Sequence, residues 1–170
     1  SIHIGNGDFI KNGILGIDGD RIVLVKNALV SSIEVNDWDT IIECTGSHIY
    51  PAFVNTNNTL GLTEIDAVRA TRDFDDVGEF NPHVRSQIAF NAESKVAQTV
   101  RTNGILITQA TPRGGIISGT SSVMGLFAWN WEDATLRKDD GIHVNWPSST
   151  VGGGWWAEPK PKSRNKKYQI

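Results

Sequence analysis

IYPAFVNTNNTLGL, residues 49–62, holds a continuous apolar run that stops at an asparagine-rich turn. An unbroken run, bounded by Pro51 on one side and by that turn on the other, predicts a strand buried on both faces of a parallel sheet. Downstream, AESKVAQTVRTNG (92–104) sets Val96, Ala97 and Val100 at helical spacing and ends on Asn103-Gly104, a helix stop. GILITQATP (104–112) then reads as a second buried strand. Strand, helix, strand is the βαβ unit of a parallel α/β fold.

Upstream of residue 49 the pattern is different. Short apolar runs are punctuated by glycine: IHIGNGDFI, NGILGI, RIVLV and TIIECTG. ILGI and RIVLV are joined by a tight Asp-Gly turn, which predicts a β-hairpin, and the whole of this part reads as β. Beyond Pro112 the chain is rich in Gly, Ser and Trp, and NWEDATLRK (130–138) is its one candidate helix. Residues 151–162 read as a surface loop or linker. The expected organisation is a small β domain over 1–48, an α/β segment over 49–150, and a Gly/Pro/Lys-rich loop over 151–170.

The 170 residues, 39% hydrophobic and 21% charged, suit about one globular domain. A formal net charge of −3 gives no overall attraction to nucleic acid or membrane, and no apolar window is long enough for a membrane span. The basic stretch KPKSRNKKYQI reads as solvated. Cys44, the single cysteine, excludes an intrachain disulfide and is expected to be buried and inert in TIIECTG. Trp129, Trp131, Trp146, Trp155 and Trp156 are expected to fill core or an interface.

Several patterns bear on chemistry. GGIISGTSS (114–122) has the G-x-x-x-x-G spacing of a phosphate loop, but Thr120 stands where the lysine is required, so a Gly-rich loop over a pocket is expected instead. His3, His48, His83 and His143 are far apart, with no metal-binding spacing. The carboxylates of TRDFDDVGE read as a solvated surface. Asn57-Asn58-Thr59 fits the glycosylation pattern by accident, at the end of a buried strand.

Three stretches taken together resemble the amidohydrolase superfamily, in particular its bacterial imidazolonepropionase-like and dihydroorotase-like branch. NGILGIDGDRIVLV resembles the hairpin of the small β domain that precedes the barrel. HIYPAFVNTNNTLGLTEI resembles the first barrel strand, usually written Y-P-G-F-I-D-x-H-x-H, and TNGILITQATPRGGIISGTSSVM resembles the next strand and its loop. The likeness runs over about residues 10 to 147. It implies an α/β fold: a small β-sandwich domain, then the first β/α units of an incomplete TIM-type (β/α)8 barrel. Such a barrel takes about 250 residues, so the resemblance implies an N-terminal segment, with the barrel completed by the rest of its own polypeptide or by a second chain in a homo- or hetero-oligomer.

The resemblance also implies hydrolysis of a non-peptide carbon-nitrogen bond, such as that of a cyclic amide. In the family, histidines at the end of the first strand hold a divalent metal. Here Asn57 and Thr59 stand at those positions, Asn55 at the aspartate and Ala52 at the glycine. Neutral amide and hydroxyl oxygens bind zinc-type ions far more weakly than imidazole does, so zinc or another divalent metal is expected only if its ligands come from downstream strands. The small-molecule pocket is expected where Asn57, Thr59, Glu64 and the loop carrying Arg113, Gly114 and Gly115 converge. In it Arg113 would neutralise a substrate carboxylate and the loop N–H groups would face an oxyanion. The alternative is a metal-free relative acting as a ligand-binding or structural subunit. Exported bacterial relatives point, by analogy, to a periplasmic setting.

Overall fold

A computed structural model describes residues 1–32, 34–146, 150–151 and 160–161. The chain divides into two compact units, Ser1–Ala52 and Phe53–Ile170. The first is β-structure. Strands β1 (Ile2–His3) and β2 (Phe9–Ile10) pair antiparallel, and Ile2 also bridges Ile49. Strands β3 (Gly13–Asp18) and β4 (Arg21–Asn27) form the expected hairpin, with Asp18 opposite Arg21 and Gly19 at φ +58° in the turn. Left-handed backbone there is what the tight primed turns demand, and glycine adopts it without strain.

Trp38 packs on the hairpin over Gly16, where an added Cβ would lie 2.3 Å from the indole. Residues 40–46 form no strand, contrary to the expectation from TIIECTG. With no neighbouring backbone to pair with, Ile42 and Cys44 are exposed, so the thiol is neither buried nor inert by burial.

The second unit is built on a four-stranded sheet in the order β5 (Phe53–Asn58), β6 (Ile105–Ala110), β7 (Ile117–Gly125), β8 (Thr135–Val144). β5 and β6 are parallel and are connected through α2 (Lys95–Arg101), which makes the predicted βαβ unit. α2 is capped at its start by Ser94, whose Oγ accepts from the Ala97 N–H at 3.2 Å, and at its end by Thr102, after which Gly104 at φ +82° turns the chain into β6. Ala97 lies against Ala110, Met124, Leu126, Leu62 and Phe90 in the core of this unit.

Four expectations differ from what is seen. β5 is an edge strand among the described residues, so Phe53 (63% exposed) and Val54 (54%) are not covered on both faces. β7 and β8 run antiparallel, so the sheet is mixed and mostly β in character. GGIISGTSS is mainly strand β7, not a loop over a pocket: residues 79–84 pair alongside it, with Ile116 and Ile117 N–H on the Glu79 carbonyl and Thr120 N–H on Val84. NWEDATLRK is helical only over α3 (Trp131–Ala134), capped by Asn130; from Thr135 the chain pairs with β7 instead. A short α1 (Ser86–Ala89) is pinned by Ser86 Oγ, which donates to the Ala110 carbonyl at 2.7 Å.

Of the tryptophans, Trp131 packs on the core, Trp129 and Trp146 are exposed, and Trp155 and Trp156 lie outside the described residues. Most of the expected 151–162 loop also lies outside them; Thr150–Val151 (β9) pairs with Lys160–Pro161 (β10). No helix among the described residues is long and apolar enough to cross a membrane.

Candidate ligand site at the ends of strands β5 and β6

The pairing of β5 with β6 slips near its C-terminal end. Asn55 is opposite Thr108 and Asn58 opposite Ala110, so Thr56 and Asn57 share Gln109 as their partner. This is a bulge, and the extra residue of a bulge loses its place in the hydrogen-bond ladder. Asn57 takes left-handed backbone, φ +52°, a conformation that asparagine tolerates better than most residues.

Both orphaned backbone groups of Asn57 are satisfied by side chains. Its N–H donates to Gln109 Oε1 at 3.0 Å, and its carbonyl accepts from Arg113 Nη2 at 2.6 Å. Arg113 Nη1 also donates to Asn57 Oδ1 at 2.9 Å. A guanidinium carries five N–H donors; two are used here, so the planar fork keeps donors for a further acceptor.

Gln109 extends the network across the sheet. Its Nε2 donates to Asp140 Oδ2 at 2.7 Å, and Asp140 Oδ1 lies 3.3 Å from Arg137 Nε. Ser121, fully buried on β7, donates to the Gly141 carbonyl at 3.2 Å. His143, also on β8, is half-buried; burial lowers its pKa from the ordinary value near 6.5, the Arg113 charge lowers it further, and Asp140 partly opposes both.

The lowered pKa of His143 has a measurable consequence. The folded state binds this proton less readily than the unfolded chain does. The stability it contributes is therefore complete above about pH 6.5 and is lost as the pH falls below that value toward the lowered folded pKa. His143→Gln is expected to flatten that part of the acid-side slope in urea unfolding measured between about pH 7 and pH 5. An unchanged slope would mean that His143 titrates alike in both states.

The structure brings together Asn57 and Arg113 of the residues expected at the site. Glu64 accepts instead from Asn91 Nδ2 at 3.1 Å, and no hydrogen bond joins it to Asn57 or Arg113. The Thr59 carbonyl accepts from Leu62 N–H in a turn. Gly114 and Gly115 direct their carbonyls to Asn145 Nδ2, and Gly115 presses on the 78–79 backbone, where an added Cβ would lie 2.9 Å from the Glu79 carbonyl oxygen. The N–H groups of Arg113, Ile116 and Ile117 are already bonded, to Phe74 and Glu79, which leaves only Gly114 and Gly115 as oxyanion donors in this loop.

Gln109, Asp140 and His143 escaped the reading of the sequence. The one signal was Gln109 itself, a long amide in the apolar run GILITQATP. Among the described residues no three His, Cys, Asp or Glu side chains cluster as a metal would require.

No protein-family model matches the sequence, and no curated protein matches it. Among solved structures, an amidohydrolase from Thermotoga maritima superposes with a TM-score of 0.59 at 14% identity, over 79% of this chain and 34% of that one. The chain thus spans about a third of the length of that protein, and over this portion the two share a fold.

Proposed function

We propose that the ends of β5 and β6 bind a small carboxylate-bearing molecule through Arg113, in a hydrolase-like protein of amidohydrolase fold. The observation that carries this reading is the Arg113 guanidinium, fixed on the Asn57 bulge with donors to spare. A carboxylate pairs with such a fork in two parallel, charge-assisted bonds.

A metal held by the β5 end does not fit this arrangement. Asn57 and Thr59 offer neutral oxygens, both Asn57 oxygens are engaged by Arg113, and the guanidinium repels a cation placed there. Hydrolysis of a non-peptide carbon-nitrogen bond, a cyclic amide foremost, then rests on groups supplied by strands beyond β5. The same misfit favours a second reading, a metal-free relative that binds its ligand without turning it over. In either case the exposed apolar side chains of β5, Phe53 and Val54, are to be covered by the rest of the polypeptide or by a second chain.

The test uses five- and six-membered cyclic amides that carry a ring carboxylate, each beside its methyl ester, titrated calorimetrically into the intact protein. The acids are expected to bind and the esters not. Arg113→Gln should weaken acid binding roughly 10- to 100-fold, the worth of a charged hydrogen-bond pair. Asn57→Asp should weaken it to a similar extent while keeping the fold, because its carboxylate neutralises the guanidinium and repels that of the ligand. Equal affinity for acid and ester, or binding indifferent to Arg113→Gln, would refute the assignment. Turnover of a bound acid separates the hydrolase from the binding protein.

A further inference from the structure

The unit Ser1–Ala52 carries a second convergence of chemistry, independent of the Arg113 site. His3 and His48, separated by 45 positions, place Nε2 and Nδ1 only 2.9 Å apart. Backbone pairing sets this geometry: His3 N–H donates to the Ile49 carbonyl at 2.8 Å, and Ile49 N–H donates to the Ser1 carbonyl at 2.9 Å. Tyr50 stacks on His3 with ring centroids 4.1 Å apart and planes 11° from parallel, which holds the imidazole from one side. The ion pairs among the described residues leave both imidazoles out.

Two bonds of about 2.0–2.1 Å at right angles put their donor nitrogens about 2.9 Å apart, the spacing of neighbouring ligands around a tetragonal ion. We propose that His3 and His48 chelate a divalent transition-metal ion at the protein surface, copper(II) ahead of nickel(II) and zinc(II). Imidazole suits these ions, and affinity in this series peaks at copper. Without the ion, one ring donates to the other along the N···N line. On binding, the donating ring moves its proton to its outer nitrogen, His3 Nδ1 or His48 Nε2, and the rings turn so that the two freed lone pairs converge on the ion beside the N···N line. No set of three or more ligating side chains occurs among the described residues, so water completes the coordination sphere.

Copper(II) sulfate titrated into the protein in a non-coordinating buffer tests the proposal, followed by calorimetry and electron paramagnetic resonance. All forms carry Cys44→Ser, because the exposed thiol would itself react with copper. One ion per chain is expected, with hyperfine structure from two nitrogens. His3→Ala and His48→Gln should each weaken binding roughly 100-fold, since a chelate gains about that factor over a single ligand. His83→Ala, which removes an exposed imidazole elsewhere, should bind as the parent does. A one-nitrogen spectrum, or unchanged affinity in the His3→Ala/His48→Gln double variant, overturns the site.

Discussion

Replacing Phe90 with alanine is expected to lower the unfolding free energy by about 4 kcal/mol. Phe90 is 4% exposed, and its ring lies over Gly61 so closely that a Cβ there would be 2.3 Å from Cε2. Around it three alanines, Ala97, Ala110 and Ala134, accompany the larger Leu62, Met124 and Leu126 in the buried core. Walls carried on strands and helices cannot move in to fill a vacated ring, so the loss of transfer energy and the cost of the cavity add. Urea unfolding should show a large fall in midpoint with an unchanged slope. Ile88→Ala, at a site 63% exposed two residues away, should change stability by no more than about 0.5 kcal/mol. Similar effects for the two variants would mean that the ring does not fill this core.

Gly119→Ala is expected to cost about 3 kcal/mol, from two causes that act together. Gly119 has φ +126°, a conformation L side chains rarely adopt, and an added Cβ would lie 2.6 Å from the Val84 carbonyl oxygen. That oxygen cannot retreat cheaply, because it accepts from Thr120 N–H at 2.8 Å, while Asn81 N–H holds Ile117 at 2.8 Å on the same seam. Gly7→Ala provides the comparison: φ is +101° there, but nothing lies within 4 Å of the added carbon. It should cost only the backbone strain, about 1 kcal/mol. If the two variants unfold with the same loss of stability, the contact with Val84 contributes nothing.

What could be read in advance was local. The β3–β4 hairpin follows from Asp18-Gly19 between β-branched runs, and α2 follows from the spacing of Val96, Ala97 and Val100 with a stop at Gly104. The misreadings are places where a distant partner overrides a local signal or, at TIIECTG, fails to support one. Asn130, Glu132 and Asp133 satisfy the rules for a helix start, yet Thr135 onward gains more from pairing with β7. Gly114 and Gly119 suggest a loop; in fact Gly119 is required because residues 79–84 run against β7 at backbone contact. TIIECTG has the composition of a strand and no strand beside it. At the site, Asn57 and Arg113 were legible through a family likeness. Gln109, Asp140 and His143 were not, because only the sheet brings positions 52, 31 and more residues apart into one network.

The bulge at Asn57 bears on which sequences can be reached from this one by single steps. Histidine at position 57 would have to adopt left-handed backbone beside a guanidinium, with its own backbone carbonyl still gripped by Arg113. Without Arg113 that carbonyl, and without Gln109 the N–H, would fall to water, each at the modest cost of about 0.5–1.5 kcal/mol that a lost exposed hydrogen bond carries. Positions 57, 109 and 113 are thus coupled: a substitution at one changes what the other two tolerate.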